Sequence, residues 1–348
     1  MNRAIRRIFV GALVLTLLGS SLAIWARSRM KTPYKSFAGE EVFVDLPAGT
    51  GVSGIADRLV AAGVVSDVWT FRVAARLSGA DRKLQAGEYR FSGEASPLDV
   101  IHRLVAGDVF TRSLTFPEGL TIAEMGEVFA RSGLGTAREF VGAASDTALA
   151  EPFDPQARSL EGYLFPDTYP MPRGTDADSV VRAMVARFAQ AFSADLRSEA
   201  AARDMTPREV LTIASLIEKE TARADERAIV SAVYHNRLRI GMPLQCDPTV
   251  IYALMQARRW NGNLRKVDLQ MKSPYNTYVV RGLPPGPIAS PGRASIEAAV
   301  RPADVPYLYF VSRNDGSHVF AVTLAEHNRN VSTFQKRQSQ KAEGRSQK

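Results

Sequence analysis

From Ile8 to Ala26 the chain runs for 19 residues without a charge, with Arg3, Arg6 and Arg7 before it and Arg27 and Arg29 after it. About 20 apolar residues let a helix cross the hydrocarbon layer of a bilayer. No other stretch constrains the fold as much, because this one excludes itself from any soluble core. A cleaved signal peptide competes with this reading, since Ser21-Leu22-Ala23 has a small-x-small cleavage form. Signal cores run to about 7–15 apolar residues, however, and this run continues through Ile24 and Trp25. Trp25 also stands where an interfacial aromatic belongs. The expectation is an uncleaved transmembrane anchor over 8–26. Both flanks are basic, so the positive-inside count leaves its orientation open.

The anchor's flank also explains the charge. The net charge is +8 and the pI about 9.7, values that would point to nucleic acid if the cations lay on the folded body. Residues 1–35 contribute +7 and residues 329–348 contribute +5, which leaves the body at −4. The tails carry the basicity, so a nucleic-acid partner is not indicated. A single cysteine, Cys246, rules out an internal disulfide or a multi-cysteine zinc site. His102, His235, His318 and His327 have no ligand spacing, so no metal and no cofactor is expected.

At 348 residues the chain exceeds one typical domain. A polar linker (27–39) leads to an alternating strand at 41–46, helices at 54–62 and 67–77 (the second capped by Ser66), a strand at 88–91 and a helix begun by Ser96-Pro97. This makes a small α+β module over 40–108. A second strand-then-Pro-x-Gly arrangement at 114–119, with Ile122-Ala123 echoing Ile55-Ala56, gives a second βα module or connector over 109–158. Thr121 with Glu124, and Thr136 with Glu139, form capping boxes there. A larger mixed α/β domain follows over 159–330, ending in a hairpin around Asn314-Asp315-Gly316 and a helix capped by Thr323 and Glu326. Residues 331–348 are a basic tail. The fold class is α+β with an N-terminal transmembrane helix.

Within the larger domain, Thr206, Pro207 and Glu209 start a helix with an N-cap, a first-turn proline and a reciprocal acid. At about 100° per residue, Val210, Ile213, Ala214, Ile217 and Thr221 share one face, widened by Leu211 and Leu216. Glu218 falls between Leu211 and Ala214, and Glu220 between Ile213 and Leu216. Only Lys219 points outward. Two carboxylates on the flanks of a core helix need either partners or a function, because burial raises a carboxyl pKa. Ion pairs with Arg223, Arg227, Arg237 or Arg239 are the structural reading, and a protonated general acid is the functional one.

No phosphate loop, nucleophile elbow or metal triad is present. Ser273–Tyr278 (SPYNTY) concentrates hydroxyls and an amide, and Leu283–Gly292 (LPPGPIASPG) reads as a rigid, preformed binding loop. Aromatic faces, amides and hydroxyls suit a sugar. A glycosidase normally needs a second carboxylate, for which Asp247, Asp167 and Glu161 are candidates. A single acid suffices if the substrate supplies its own nucleophile.

The motifs IEKET, NRLRIGMPLQCDPTVIY, SPYNTY, GLPPGPIASPG and SHVFAVTLAEHN, in that order, closely resemble the endolytic murein transglycosylase family (MltG, YceG-like). The resemblance is strong over 161–328. It implies cleavage of the MurNAc–GlcNAc β-1,4 bond within nascent peptidoglycan strands, leaving 1,6-anhydro-MurNAc ends and terminating elongation, with no cofactor. It also implies LysM-like N-terminal modules, a cytoplasmic N-terminus at 1–7 and a single-pass anchor in the inner (cytoplasmic) membrane. The catalytic domain would be periplasmic, with glycan strands and peptidoglycan synthases as partners. The family's acid aligns with Glu220, with Glu218 as the alternative. A position nearer the helix C-terminus also raises a carboxyl's pKa through the macrodipole.

Substrate-binding candidates are Asn236, Gln245, Asp247, Tyr275, Asn276 and Tyr278, against capping or loop-bracing roles for each. Asp247 in particular could N-cap the helix before Pro248. His318 and His327 lie in the matched stretch, although packed roles explain them equally well. A non-catalytic glycan-binding scaffold and a hydrolytic muramidase are the rival functions.

Overall fold

The computed structural model describes residues 3–336. Met1, Asn2 and the greater part of the expected basic tail lie outside the described residues.

The chain clusters into two compact units, one reaching to Arg112 and including Pro170–Gly174, the other holding Ser113–Tyr169 and everything from Thr175. The first begins with α1 (Arg3–Lys31). Over Gly11–Lys31 this helix is apolar and long enough to cross a membrane. It then continues helical into the stretch expected as linker.

Next come β1 (Val42–Leu46), α2 (Val52–Ala61), α3 (Val68–Leu77), β2 (Gly87–Phe91) and α4 (Pro97–Ala106). Alternation explains the pairing. Val44, Leu46, Tyr89 and Phe91 face the core, and β1 and β2 pair antiparallel with Val44 opposite Tyr89. Leu59, Phe71, Ile101 and Leu104, all fully buried, close the other side. The N-cap of α3 is Asp67 rather than Ser66: its carboxylate accepts the Thr70 amide at 2.7 Å, while Ser66 only donates to Asp67. An ionised cap is the stronger acceptor for the orphan amides.

β3 (Thr111–Thr115) pairs with β4 (Thr168–Pro172). Between them lie α5 (Ile122–Arg131) and α6 (Ala137–Ala143), both begun by the expected capping boxes. The second unit continues with α7 (Ala177–Ala191), α8 (Ala194–Ala201), α9 (Pro207–Glu220), α10 (Arg227–Arg239), α11 (Asp247–Gln256) and α12 (Arg293–Val300). The hairpin β5 (Tyr309–Ser312)/β6 (His318–Ala321) and α13 (Leu324–Val331) close it.

α9 is the axis of this unit. Every residue from Val210 to Ile217 is buried, and α8, α10, α11 and α12 all pack on it. Sequence periodicity predicts burial over little more than half the circumference. Thr212 and Ser215 account for the difference, since their hydroxyls bond the carbonyls of Arg208 and Thr212 and so bury without cost to the ladder.

The segment Leu283–Gly292, expected as a rigid, preformed binding loop, is largely buried against this helix. The Ile288 amide donates to Ser215 Oγ, Ser290 exchanges backbone bonds with Gly119 and Leu120, and Gly292 N–H reaches Glu218. Proline lacks an N–H, so a proline-rich strut carries few donors into the core. The packing is close: Gly162, at φ +83°, would place a Cβ 2.6 Å from Pro287.

Candidate active site

The last turn of α9 leaves the core, and its three charged residues meet different surroundings. Lys219 is exposed and donates to Gly119 O at 3.0 Å. Glu218 Oε2 accepts the Gly292 amide at 3.0 Å and the Ser295 hydroxyl at 2.7 Å. Gly292 is the N-cap of α12, so this carboxylate sits on a helix N-terminus, where the macrodipole favours an anion.

Glu220 takes a different set of partners. Its Oε1 accepts from Tyr234 Oη on α10 at 3.1 Å and from Cys246 Sγ, the N-cap residue of α11, at 3.2 Å. Tyr234 and Cys246 are both buried.

The expected ion pairs do not form. Among the described residues neither glutamate is bridged to an arginine. Arg223 pairs with Asp225 and Glu226, Arg237 donates to the carbonyls of Leu308, Pro243 and Leu244, Arg239 reaches Asn236, and Arg227 Nε is buried without a partner. Neutral donors and a helix terminus meet the end of α9 in place of cations.

These surroundings set the protonation of Glu220. Burial raises its carboxyl above the ordinary range; the bonds from Cys246 and Tyr234 pull it back, Asp247 pushes it up and His318 opposes that. The net direction is upward, towards a neutral acid. Both donors, Tyr234 and Cys246, fall on Oε1.

Glu220 retains some exposed surface and lines a cleft of about 360 Å³. Of the residues proposed from sequence to hold the substrate, Gln245, Asp247 and Tyr278 share this cleft. Tyr278 Oη donates to Asp247 Oδ1 at 2.5 Å. Asp247 is the first residue of α11 rather than its cap, because Cys246 occupies the N-cap position, so the capping role considered for Asp247 is not the one it has. Gln245 sits at φ +49°, a left-handed conformation uncommon outside glycine. Its amide bonds Thr277 O and that of Cys246 bonds Thr277 Oγ1, stitching this corner to the SPYNTY loop.

Asn236, Tyr275 and Asn276 lie elsewhere. The Asn236 amide donates to Val305 O and Tyr307 O, tying down the approach to β5. Asn276 is fully buried and spans Leu269 O, Met271 O and the Tyr278 amide. Tyr275 packs against Tyr252 with ring centroids 4.9 Å apart and planes inclined by 56°, and borders a separate small pocket beside Glu161.

The three candidate second carboxylates also separate. Asp167 is bound to Arg187 at 2.6 Å. Glu161 is buried, accepts from the Ile122 amide at 3.1 Å and Tyr252 Oη at 3.2 Å, and is pushed up to about 8 by burial. Asp247 alone of the three shares the cleft with Glu220.

Sequence reasoning missed part of the cleft's wall. His318 lines it and is held at Nδ1 by Glu226 Oε2 at 2.6 Å, while its amide reaches Glu226 Oε1 at 2.9 Å. Arg237 and Phe310 complete that side. No spacing connects residue 226 with 318; only pairing of the hairpin onto α10 brings them together. Cys246, assigned no chemistry from sequence, is a direct hydrogen-bond partner of Glu220.

The end of a buried helix thus brings one raised carboxyl to a polar cleft walled in part by the C-terminal hairpin. The model of the YceG-like family matches residues 44–333, and the chain belongs to that family. It is 32% identical over 313 residues to the endolytic murein transglycosylase of Bacillus subtilis, covering 85% of this chain and 86% of that protein. Against the endolytic murein transglycosylase of Streptococcus pneumoniae (strain D39) it is 31% identical over 330 residues, 86% of this chain and 59% of the longer relative. A crystal structure of a YceG-like protein from Listeria monocytogenes superposes with a TM-score of 0.57 at 30% identity, covering 84% of this chain and 99% of that one.

Proposed function

We infer that this chain is an endolytic peptidoglycan lytic transglycosylase, a lyase, with Glu220 as its general acid. The observation that carries the assignment is the raised carboxyl of Glu220, bridged to no arginine among the described residues and opening on a sugar-suited cleft. The relatives' activity supports the same reading.

Glu220 Oε2–H protonates the glycosidic oxygen as the C1–O bond to that oxygen breaks. The MurNAc C6 hydroxyl then attacks C1, forming the 1,6-anhydro ring, and its proton returns to the carboxylate. Atoms balance without water, so one acid completes the cycle. Gln245, Asp247 and Tyr278 hold the sugar. Asn236, Tyr275 and Asn276 support the walls. A preformed left-handed corner at Gln245 keeps its side chain from searching for position.

Residues 159–330 form the catalytic segment, with 109–158 packed beside it, and the βααβ module of the first unit is LysM-like. α1 anchors the chain in the inner membrane, the body lies on its periplasmic side, and peptidoglycan synthases are its partners there. Cleavage of nascent strands ends their elongation.

One observation favours a second reading: Asp247 places another carboxylate in the cleft, as a hydrolytic muramidase would need. Mass spectrometry of digested glycan strands decides. Anhydro ends made by the wild type and absent with Glu220→Gln are expected. Free reducing MurNAc ends would establish the muramidase, and sacculus binding without cleavage would leave only a scaffold.

A further inference from the structure

The far end of the chain offers a feature that this activity does not use. α1 does not hand over to a loose tether. Met30, in its last turn, is buried in the core of the first unit, Arg29 pairs with Asp67 at 3.1 Å, and α1 packs on α3 and α4. Trp25 lies against Trp69 of α3, with ring centroids 6.2 Å apart, yet both indoles remain more than half exposed. Ordinary packing would bury such a pair. One turn beyond Trp69, Arg72 is exposed on the same side of α3, with Arg76 a further turn on. With Val52 and Val73 these residues line an open groove.

Depth follows from length. The uncharged run of 19 residues is about 28 Å long as a helix, close to the hydrocarbon thickness of about 30 Å. Trp25, one residue from its end, therefore stands at the boundary between chains and headgroups. Trp69 touches it and must lie at nearly the same depth. Indole rings favour that layer, and arginines reaching from it meet lipid phosphates.

We propose that the Trp69–Arg72 face of α3 is a membrane-surface site, seated in the headgroup layer against anionic phospholipid. It rests on the reading of α1 as a membrane anchor. The first unit is then a membrane-seated module and not one swinging on a linker. The same aromatic-and-cation face could be imagined stacking on a glycan, but its position beside the anchor's end favours lipid.

Full-length protein carrying Trp25→Phe and Trp260→Phe keeps Trp69 as its only indole. The companion Trp69→Phe/Trp260→Phe protein keeps Trp25 as a depth ruler. Each is placed in nanodiscs of phosphatidylglycerol and phosphatidylethanolamine with acyl chains brominated near the headgroup or near the chain end. Retained cleavage of glycan strands checks that both variants fold.

Trp69 should lose most of its emission to shallow bromines, with the same depth profile as Trp25, and Arg72→Ser should weaken that loss when phosphatidylglycerol is present. Quenching of Trp25 but not Trp69 would overturn the site and leave the anchor standing. Protection of an unquenched Trp69 by added glycan strands would overturn it in favour of a sugar surface. Extraction of the protein from liposomes by alkaline carbonate would remove the anchor itself, and the site with it.

Discussion

Glu220 and Glu161 are two buried carboxyls in the same unit, each bonded to a tyrosine hydroxyl and each raised by burial. They differ in where their remaining oxygen can go. Both oxygens of Glu161 are taken, one by the Ile122 amide and one by Tyr252. Among the described residues both donors to Glu220 fall on Oε1, and its side chain lines the cleft. Desolvation raises the carboxyl in either place, and the distribution of hydrogen bonds tells the two apart. Glu218, two residues from Glu220, shows the third outcome, a carboxylate committed to a helix N-terminus.

The widest gap between these residues should appear in turnover. Glu220→Gln is expected to lower kcat by about 10²–10⁴-fold, the usual worth of a positioned general acid, with circular dichroism unchanged; Glu161→Gln should stay within a few-fold of wild type. Equal losses in both would erase the distinction.

The next effect is on stability. Glu161 binds its proton more tightly folded, at about 8, than unfolded, near 4.5. The native state therefore holds the extra proton between those values, and stability falls as pH rises through that window. The whole effect is on the order of several kcal/mol. Thermal melts of the wild type should show this decline from pH 5 to 9 and Glu161→Gln should flatten it. A parallel decline in the variant would mean that another group titrates.

Glu218→Gln removes an anion from the start of α12. A loss of about 1–2 kcal/mol in urea melts, with kcat largely kept, would separate clamp from catalyst. A collapse of kcat at unchanged stability would exchange the roles of the two glutamates.

The smallest expected change tests the donors on Oε1. Tyr234→Phe removes a bond that lowers the pKa of Glu220, so the alkaline limb of the kcat/KM profile should move to higher pH. A shift to lower pH would show that Tyr234 holds the neutral form.

Much of this was legible locally. Capping boxes at Thr121, Thr136, Thr206 and Thr323 and the hairpin at Asn314–Gly316 are written within a few residues, and the structure has them. The wheel also singled out Glu218 and Glu220 correctly as anomalies. What fills the space beside them was not legible. Glu226 and His318, or Glu218 and Ser295, meet only through tertiary packing. Proximity in sequence misled as well: four nearby arginines looked like partners, but backbone carbonyls hold Arg237, other acids hold Arg223 and the Asn236 side chain holds Arg239. The SPYNTY motif mixed two kinds of residue, since Tyr278 lines the cleft while Asn276 disappears beneath it.

The two glutamates at the end of α9 are separated by a single lysine, which on a helix sets them about 160° apart around the axis. One is gripped by the start of α12 and the other looks into the cleft, so the helix end works like a key with two bits cut at a fixed angle. Inserting one residue between them would keep every side chain and still turn the acid by about 100°, away from its substrate. The direction in which Glu220 faces thus depends on a count of residues as much as on their kinds.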